Sequence, residues 1–199
     1  MNYGVPVSVG APRAVPLLAR RGLAIGLGAL VVALSAQVVV PVPFSPVPMT
    51  LQPLAVLAVG GLLGGAAGLG ALLLYIALGA IGLPVFAGGG SGVLRLLGPT
   101  GGYLLAFPIA AWITGTLVGR TLRVGDDVTA GSALRVLLAC ALGMVIIHVG
   151  GGAQLALLGG DPSVALRVGV IPFLTGDLLK IGLAAVVILA TGQKVRSRL

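Results

Sequence analysis

Glutamate is absent from this 199-residue chain, whose carboxylate side chains are Asp126, Asp127, Asp161 and Asp177. Histidine and cysteine occur once each, as His148 and Cys140. A lone cysteine excludes an intramolecular disulfide framework, and one Cys with one His gives a metal site little to work with. No metal or cofactor is therefore expected. The missing glutamate, with no Ser/His or His-cluster motif, disfavours an intramembrane enzyme. The glycine-rich GGGSGVLR lacks the Gly-Lys-Ser/Thr ending by which a P-loop holds phosphates and magnesium. The chain is thus not itself an ATPase. GLLGGAAGLG has no acidic ribose reader after it and precedes an apolar run, so it reads as a turn.

Charge of either sign is scarce. Only 8% of residues are charged, against about 25% in soluble domains. What remains is apolar: 58% of residues are hydrophobic, and mean hydropathy is +1.18. No charge interrupts residues 22–94, a stretch long enough to cross a bilayer at least twice at about 20 residues per crossing. The expected class is an all-α integral membrane protein in a lipid bilayer. The 34 glycines suit helices packed backbone to backbone in lipid. The formal charge of +8 does not imply nucleic acid. Nine of its twelve basic residues fall in three clusters, Arg13, Arg20 and Arg21, then Arg120, Arg123 and Arg135, then Lys194, Arg196 and Arg198. That spacing is the positive-inside pattern of a multispan protein.

Six spans are expected, over about 22–40, 53–67, 69–83, 101–119, 135–157 and 172–192. The apolar run 22–40 exceeds the roughly 7–15 residues of a signal-peptide core, which favours a retained first span. Both termini are expected in the cytoplasm, with a tail over 1–19, one membrane domain over 20–193 and a basic tail over 194–199. The outer face then gathers residues 41–52, 84–100 and 158–171, the irregular parts of the sequence. Segment 41–52 carries Pro41, Pro43, Pro46 and Pro48. Irregular backbone at membrane depth is tolerated only where it packs in protein or lines a wet cavity. These segments are expected to cap a pocket, with 41–52 as its lid or wall.

Asp177 and Lys180, in FLTGDLLK, are three residues apart and share one face of a helix. Each charge at mid-membrane costs roughly 2.5–3.5 kcal/mol on insertion scales, so both should face the bundle interior. A structural ion pair and a ligand site are both open; the helix start near Pro172 and Thr175 puts the pair close to the outer mouth and favours the ligand site. His148, in GMVIIHVGG, reads first as a packing histidine bonded to a neighbouring span, with a pocket donor or proton relay as the alternative. Ala29 and Ala33 form a small-xxx-small pair that permits close helix approach.

Together, VPVPFSPVPMTLQPLAVLAVGGLLGG, LLLYIALGAIGLPVFAGGGSG, LLGPTGGYLLAF and FLTGDLLKIGLA resemble the BioY family, the substrate-binding S components of energy-coupling-factor (ECF) transporters for biotin. The resemblance runs from about Ala29 to Lys180. It implies a six-helix component in the cell membrane that takes biotin from outside and topples in the membrane to deliver it. Its implied partners are a transmembrane coupling protein and two ABC-type ATPases, although some members of the family work without that module. Ala29 and Ala33 would form the docking surface for the module. Asp177 would accept from the N–H groups of the cyclic urea while Lys180 donates to its carbonyl. The ligand carboxylate would meet Thr100, the backbone of Gly98 and Gly101, and Tyr103, joined by Arg95 on its location alone, since it belongs to no motif matched to the family; the opposite assignment, Lys180 on the carboxylate, stays open. Tyr75, Pro46 and Pro48 would wall the ring, with Thr50 and Gln52 adding hydrogen bonds. The stretch 88–92 is unusually rich in glycine for a polar ligand loop. The alternative from another class is an autonomous, proton-coupled secondary transporter of a small vitamin-like solute.

Overall fold

The computed structural model describes residues 16–199, so Arg13 and most of the expected N-terminal tail lie outside the described residues. Eight helices follow in chain order among the described residues. They are α1 (Leu17–Ser35), α2 (Gln52–Leu63), α3 (Gly65–Ala80), α4 (Leu94–Leu97), α5 (Gly101–Thr121), α6 (Ala130–Gly159), α7 (Pro162–Gly169) and α8 (Leu174–Arg196). One two-stranded ribbon, β1 (Val39–Val40) and β2 (Met49–Thr50), joins α1 to α2.

Local chemistry explains most of these boundaries. Helix α1 ends at Ser35, ahead of three β-branched valines and Pro41, residues that favour extended backbone. The prolines lie in the loop of an antiparallel hairpin whose ends pair Val39 with Thr50 and Val40 with Met49. The expected first span, 22–40, is thus displaced about one turn towards the N-terminus. Thr129 and Ser132 form a reciprocal capping box at the start of α6, satisfying two otherwise free N–H groups. Asp161 caps α7 by accepting from Ser163 N at 2.8 Å. Segment 158–171, expected to be irregular, is therefore largely helical, and 84–100 contains the short α4.

Three helices, α1, α5 and α6, and the continuous run Pro162–Arg196 are long and apolar enough to cross a membrane. Helices α2 and α3 are apolar but shorter, with 12 and 16 residues. At about 1.5 Å per residue they span roughly 18 and 24 Å, less than the approximately 30 Å hydrocarbon core. Leucines such as Leu23, Leu138, Leu157 and Leu178 are exposed on the outside of the bundle, a surface suited to lipid. Helix α5 occupies the centre and packs on α6, α2 and α3. Its contact with α2 depends on Gly60, where a Cβ would collide with the Ala111 backbone.

Packing bears on the expected alanine pair. Ala29 is 2% exposed and belongs to the core, with the partly buried Ala33 packed against the same cluster. This face of α1 is turned towards α3 and α2, so Ala29 seals helices of its own chain while Ala33 stays partly exposed.

Candidate functional site

The first turns of α2, α5 and α8 meet the second half of α6 at one end of the bundle, under the ribbon and the 84–100 segment. Asp177 and Lys180 share a face of α8, with Lys180 Nζ donating to Asp177 Oδ1 at 2.8 Å. Both are nearly inaccessible, at 3% and 6% exposure. The other carboxylate oxygen, Oδ2, lies 2.7 Å from His148 Nε2 on α6. Because an ionised carboxylate only accepts, Nε2 is the donor in this contact. Each charge is thus taken from water but left with a partner, the condition under which a buried charge is tolerable.

This triad forms one wall of a cavity. Val47, Pro48, Met49 and Thr50 of the ribbon cover it, and Phe107, Ile147 and Phe173 are among the apolar residues that line it. Polar groups reach it from Thr50, Gln52, Arg95 and Thr100. About 650 Å³ there is free of protein atoms, part of it open to solvent. The space is a cleft with apolar walls and a charged cluster on one side. Such a shape holds a small, largely apolar molecule and orients it through a few polar groups.

Of the residues expected at a site, Asp177, Lys180, Thr100, Tyr103, Gln52, Thr50, Pro48 and Arg95 line this cleft. Tyr75, Gly98, Gly101 and Pro46 do not line it; the first three support it. Tyr75 is fully buried, accepts from Gln52 Nε2 at 2.7 Å, and meets the Phe86 ring edge-on at 5.6 Å between centroids. It therefore fixes Gln52 and Phe86, which do line the cavity. The Gly98 carbonyl accepts from Gln154 Nε2 at 2.6 Å, as the Leu96 carbonyl does at 3.0 Å. These bonds tether the Arg95–Thr100 segment to α6. At Gly101 a Cβ would strike the Leu96 carbonyl, so this glycine admits the segment close to α5. Tyr103 presents its ring to the cleft, but its hydroxyl donates to the Gly169 carbonyl. That bond ties α5 to the end of α7.

The glycine-rich loop has a steric role beside Arg95. A Cβ at Gly90 would lie 2.9 Å from Arg95 Nε, so glycine lets the guanidinium fold back over the loop and reach the cleft. Arg95 makes no ion pair among the described residues.

His148 is the site residue that sequence reasoning undervalued. A polar side chain amid apolar helix needs a partner, and Asp177 is the one acidic residue within an apolar span. Those facts, taken together, pointed to the pairing; sequence separation hid it.

The chain matches the family model described as the BioY family over residues 10–197. It is 37% identical over 164 residues to the probable biotin transporter BioY of Pyrococcus horikoshii, covering 82% of this chain and 92% of that one. It is 39% identical over 162 residues to the biotin transporter BioY of Rhodobacter capsulatus, covering 79% and 85%. A crystal structure of the S-component for biotin from an ECF-type ABC transporter is similar in fold, with a TM-score of 0.77 and 25% identity. That likeness covers 92% of this chain and 95% of the other.

Proposed function

The chain belongs to the BioY family, and from that premise we propose that it is the biotin-binding S component of an ECF-type transporter, with the cleft as its ligand site. The observation that carries this reading is the carboxylate of Asp177, held by Lys180 on one oxygen and His148 on the other while lining an otherwise apolar cleft. A cyclic urea has two N–H donors and one carbonyl acceptor. Asp177 accepts from the urea and Lys180 donates to its carbonyl, so a charge pair that is neutral overall meets a neutral group. The apolar walls take the ring and the alkyl chain. Arg95 and the Thr100 hydroxyl, across from the ion pair in sequence and carried by a separate segment, suit the ligand carboxylate.

In this reading the protein crosses the cell membrane six times, with α2 and α3 as short crossings packed around α5. The cleft opens outwards and both termini are cytoplasmic. The described basic residues of the three clusters support that orientation, since they lie at the end opposite the cleft: Arg21 donates to the carbonyl of Leu199, and Arg196 to those of Val118 and Leu122. The expected partition at 20–193, with tails on either side, is compatible with this arrangement. The chain carries no ATPase motif, so energy for release comes from partners, a coupling membrane protein and two ABC-type ATPases. Because Ala29 is covered by its own bundle, docking uses other surfaces.

Isothermal titration of the purified protein with biotin, thiamine and riboflavin tests the reading. Binding of biotin alone is expected. Absence of biotin binding, or equal affinity for the three, overturns it. Uptake in a host lacking all coupling-module components, abolished by collapsing the proton gradient, would replace the module with proton coupling.

A further inference from the structure

His148 takes part in two features of the fold. It lines the cleft, and it also lines a second, almost wholly apolar groove on the flank between α6 and α7–α8, beside Val149, Gly152, Leu166 and Val170. Its Nε2 engages Asp177 Oδ2, and its ring stands edge-on to Tyr103, with 6.4 Å between centroids. Nδ1 is buried and has no hydrogen-bond partner among the described residues. The ring is thus held by one polar bond and by packing.

That bond decides what Asp177 can offer. A carboxylate has about four lone-pair positions, two on each oxygen. Lys180 occupies one on Oδ1 and His148 one on Oδ2. One position on each oxygen stays unclaimed among the described residues. Lys180 alone, on a flexible stem and from the same helix, leaves the carboxylate free to rotate about its terminal torsion, which is broad and roughly two-fold. A second donor from a different helix fixes that plane.

We propose that His148 is a positioning residue for ligand recognition: it clamps the Asp177 carboxylate so that its two free acceptor positions are presented together to paired N–H donors of the ligand. This rests on the proposed biotin reading, in which the paired donors are those of the cyclic urea. His148 does not itself hold the ligand; it acts through Asp177.

The test must separate this role from packing, because His148 also walls the cleft off from the groove. Glutamine carries an N–H donor where imidazole has Nε2, whereas leucine keeps the bulk and loses the donor. Biotin binding is measured calorimetrically in the full-length protein, with thermal unfolding of each variant recorded without ligand. His148→Leu is expected to raise Kd at least about tenfold, as loss of a bond to a charged group implies, and His148→Gln to stay within about threefold. In an Asp177→Asn background the His148→Leu change is expected to alter Kd by less than about twofold, because coupled residues are non-additive. Equal weakening in the Gln and Leu variants overturns the proposal, as does a fully additive cycle. If Asp177→Asn leaves too little binding for a cycle, the Gln–Leu contrast decides alone. If His148→Leu is not recovered folded, His148→Asn replaces it, since its amide reaches the Nδ1 position and not Nε2. Failure of the wild type to bind biotin strikes at the underlying function and is distinct from every outcome above.

Discussion

The two ends of the bundle each hold charge against protein, half-buried at one end and buried at the other, and they do so for opposite purposes. At the end away from the cleft, Arg196 donates to the carbonyls of Gly61, Val118 and Leu122, which belong to the last turns of α2 and α5. Gly61 and Leu122 lie where a helix C-terminus leaves carbonyls unsatisfied, and the Val118 carbonyl also accepts from the Leu122 N–H. A guanidinium with several donors in a fixed fork bolts three helices together, because α8 supplies the arginine. At the cleft end, Asp177, Lys180 and His148 satisfy one another instead, and leave acceptor capacity turned to an open space. A charge whose partners are backbone groups of the fold stabilises the fold. A charge whose partners are other side chains around a cavity keeps capacity for something else.

The largest effect is expected where this contrast is broken at the cleft. Lys180→Met leaves the Asp177 carboxylate with one partner; loss of one member of a buried pair costs about 3–5 kcal/mol. Ligand-free thermal unfolding in detergent should show that loss, and titration should show biotin binding reduced at least about tenfold. The triple change Asp177→Leu, Lys180→Met and His148→Leu sharpens the point, because His148 would otherwise be left with no partner on either ring nitrogen. Replacing a buried ion pair by apolar groups is often neutral or stabilising, so stability should return while binding stays lost. Recovery of binding would show that the pair serves only the fold.

Arg196→Met comes next and should give the mirror image. Stability should fall by about 1.5–3 kcal/mol, the scale of a hydrogen bond to a charged group, while biotin affinity stays within about twofold of wild type. Arg95→Gln is expected to move affinity without stability. If Arg95 meets the ligand carboxylate, it should weaken biotin about tenfold yet leave the affinity for a biotin amide nearly unchanged; equal weakening of both ligands would remove it from that role.

The smallest effect is expected at Asp161, in the segment connecting α6 and α7. Its carboxyl is held below the usual carboxylate range by the Ser163 hydroxyl, then by the backbone N–H groups of Ser163 and Val164. A depressed folded-state value stabilises above the ordinary carboxylate range and is lost as pH falls through the folded value. Asp161→Ala should therefore lower the melting temperature slightly at neutral pH, and the difference from wild type should shrink on acidification. A difference that persists in strong acid would assign the loss to something other than the cap.

Much of this is legible in the sequence. The uncharged stretch 22–94 and the clustered basic residues dictate a multispan helical protein, because each unpaired charge or bare peptide group in lipid costs several kcal/mol. The three-residue spacing of Asp177 and Lys180 dictates that they share a helical face, whatever surrounds them. Proline torsions and missing donors exclude a helix over 41–48. The tertiary structure decided the rest. It joined His148 to Asp177 across 29 positions, turned Ala29 into the core, and set Tyr75, Gly98 and Gly101 behind the cleft whose ligand they were expected to meet. The division has a physical cause. Solvent preference and backbone torsions act on each residue locally, so sequence alone determines them. Which polar atom satisfies which, and which small residue seals which helix, depends on the azimuth at which distant helices pack, and that is fixed only when the whole core closes at once.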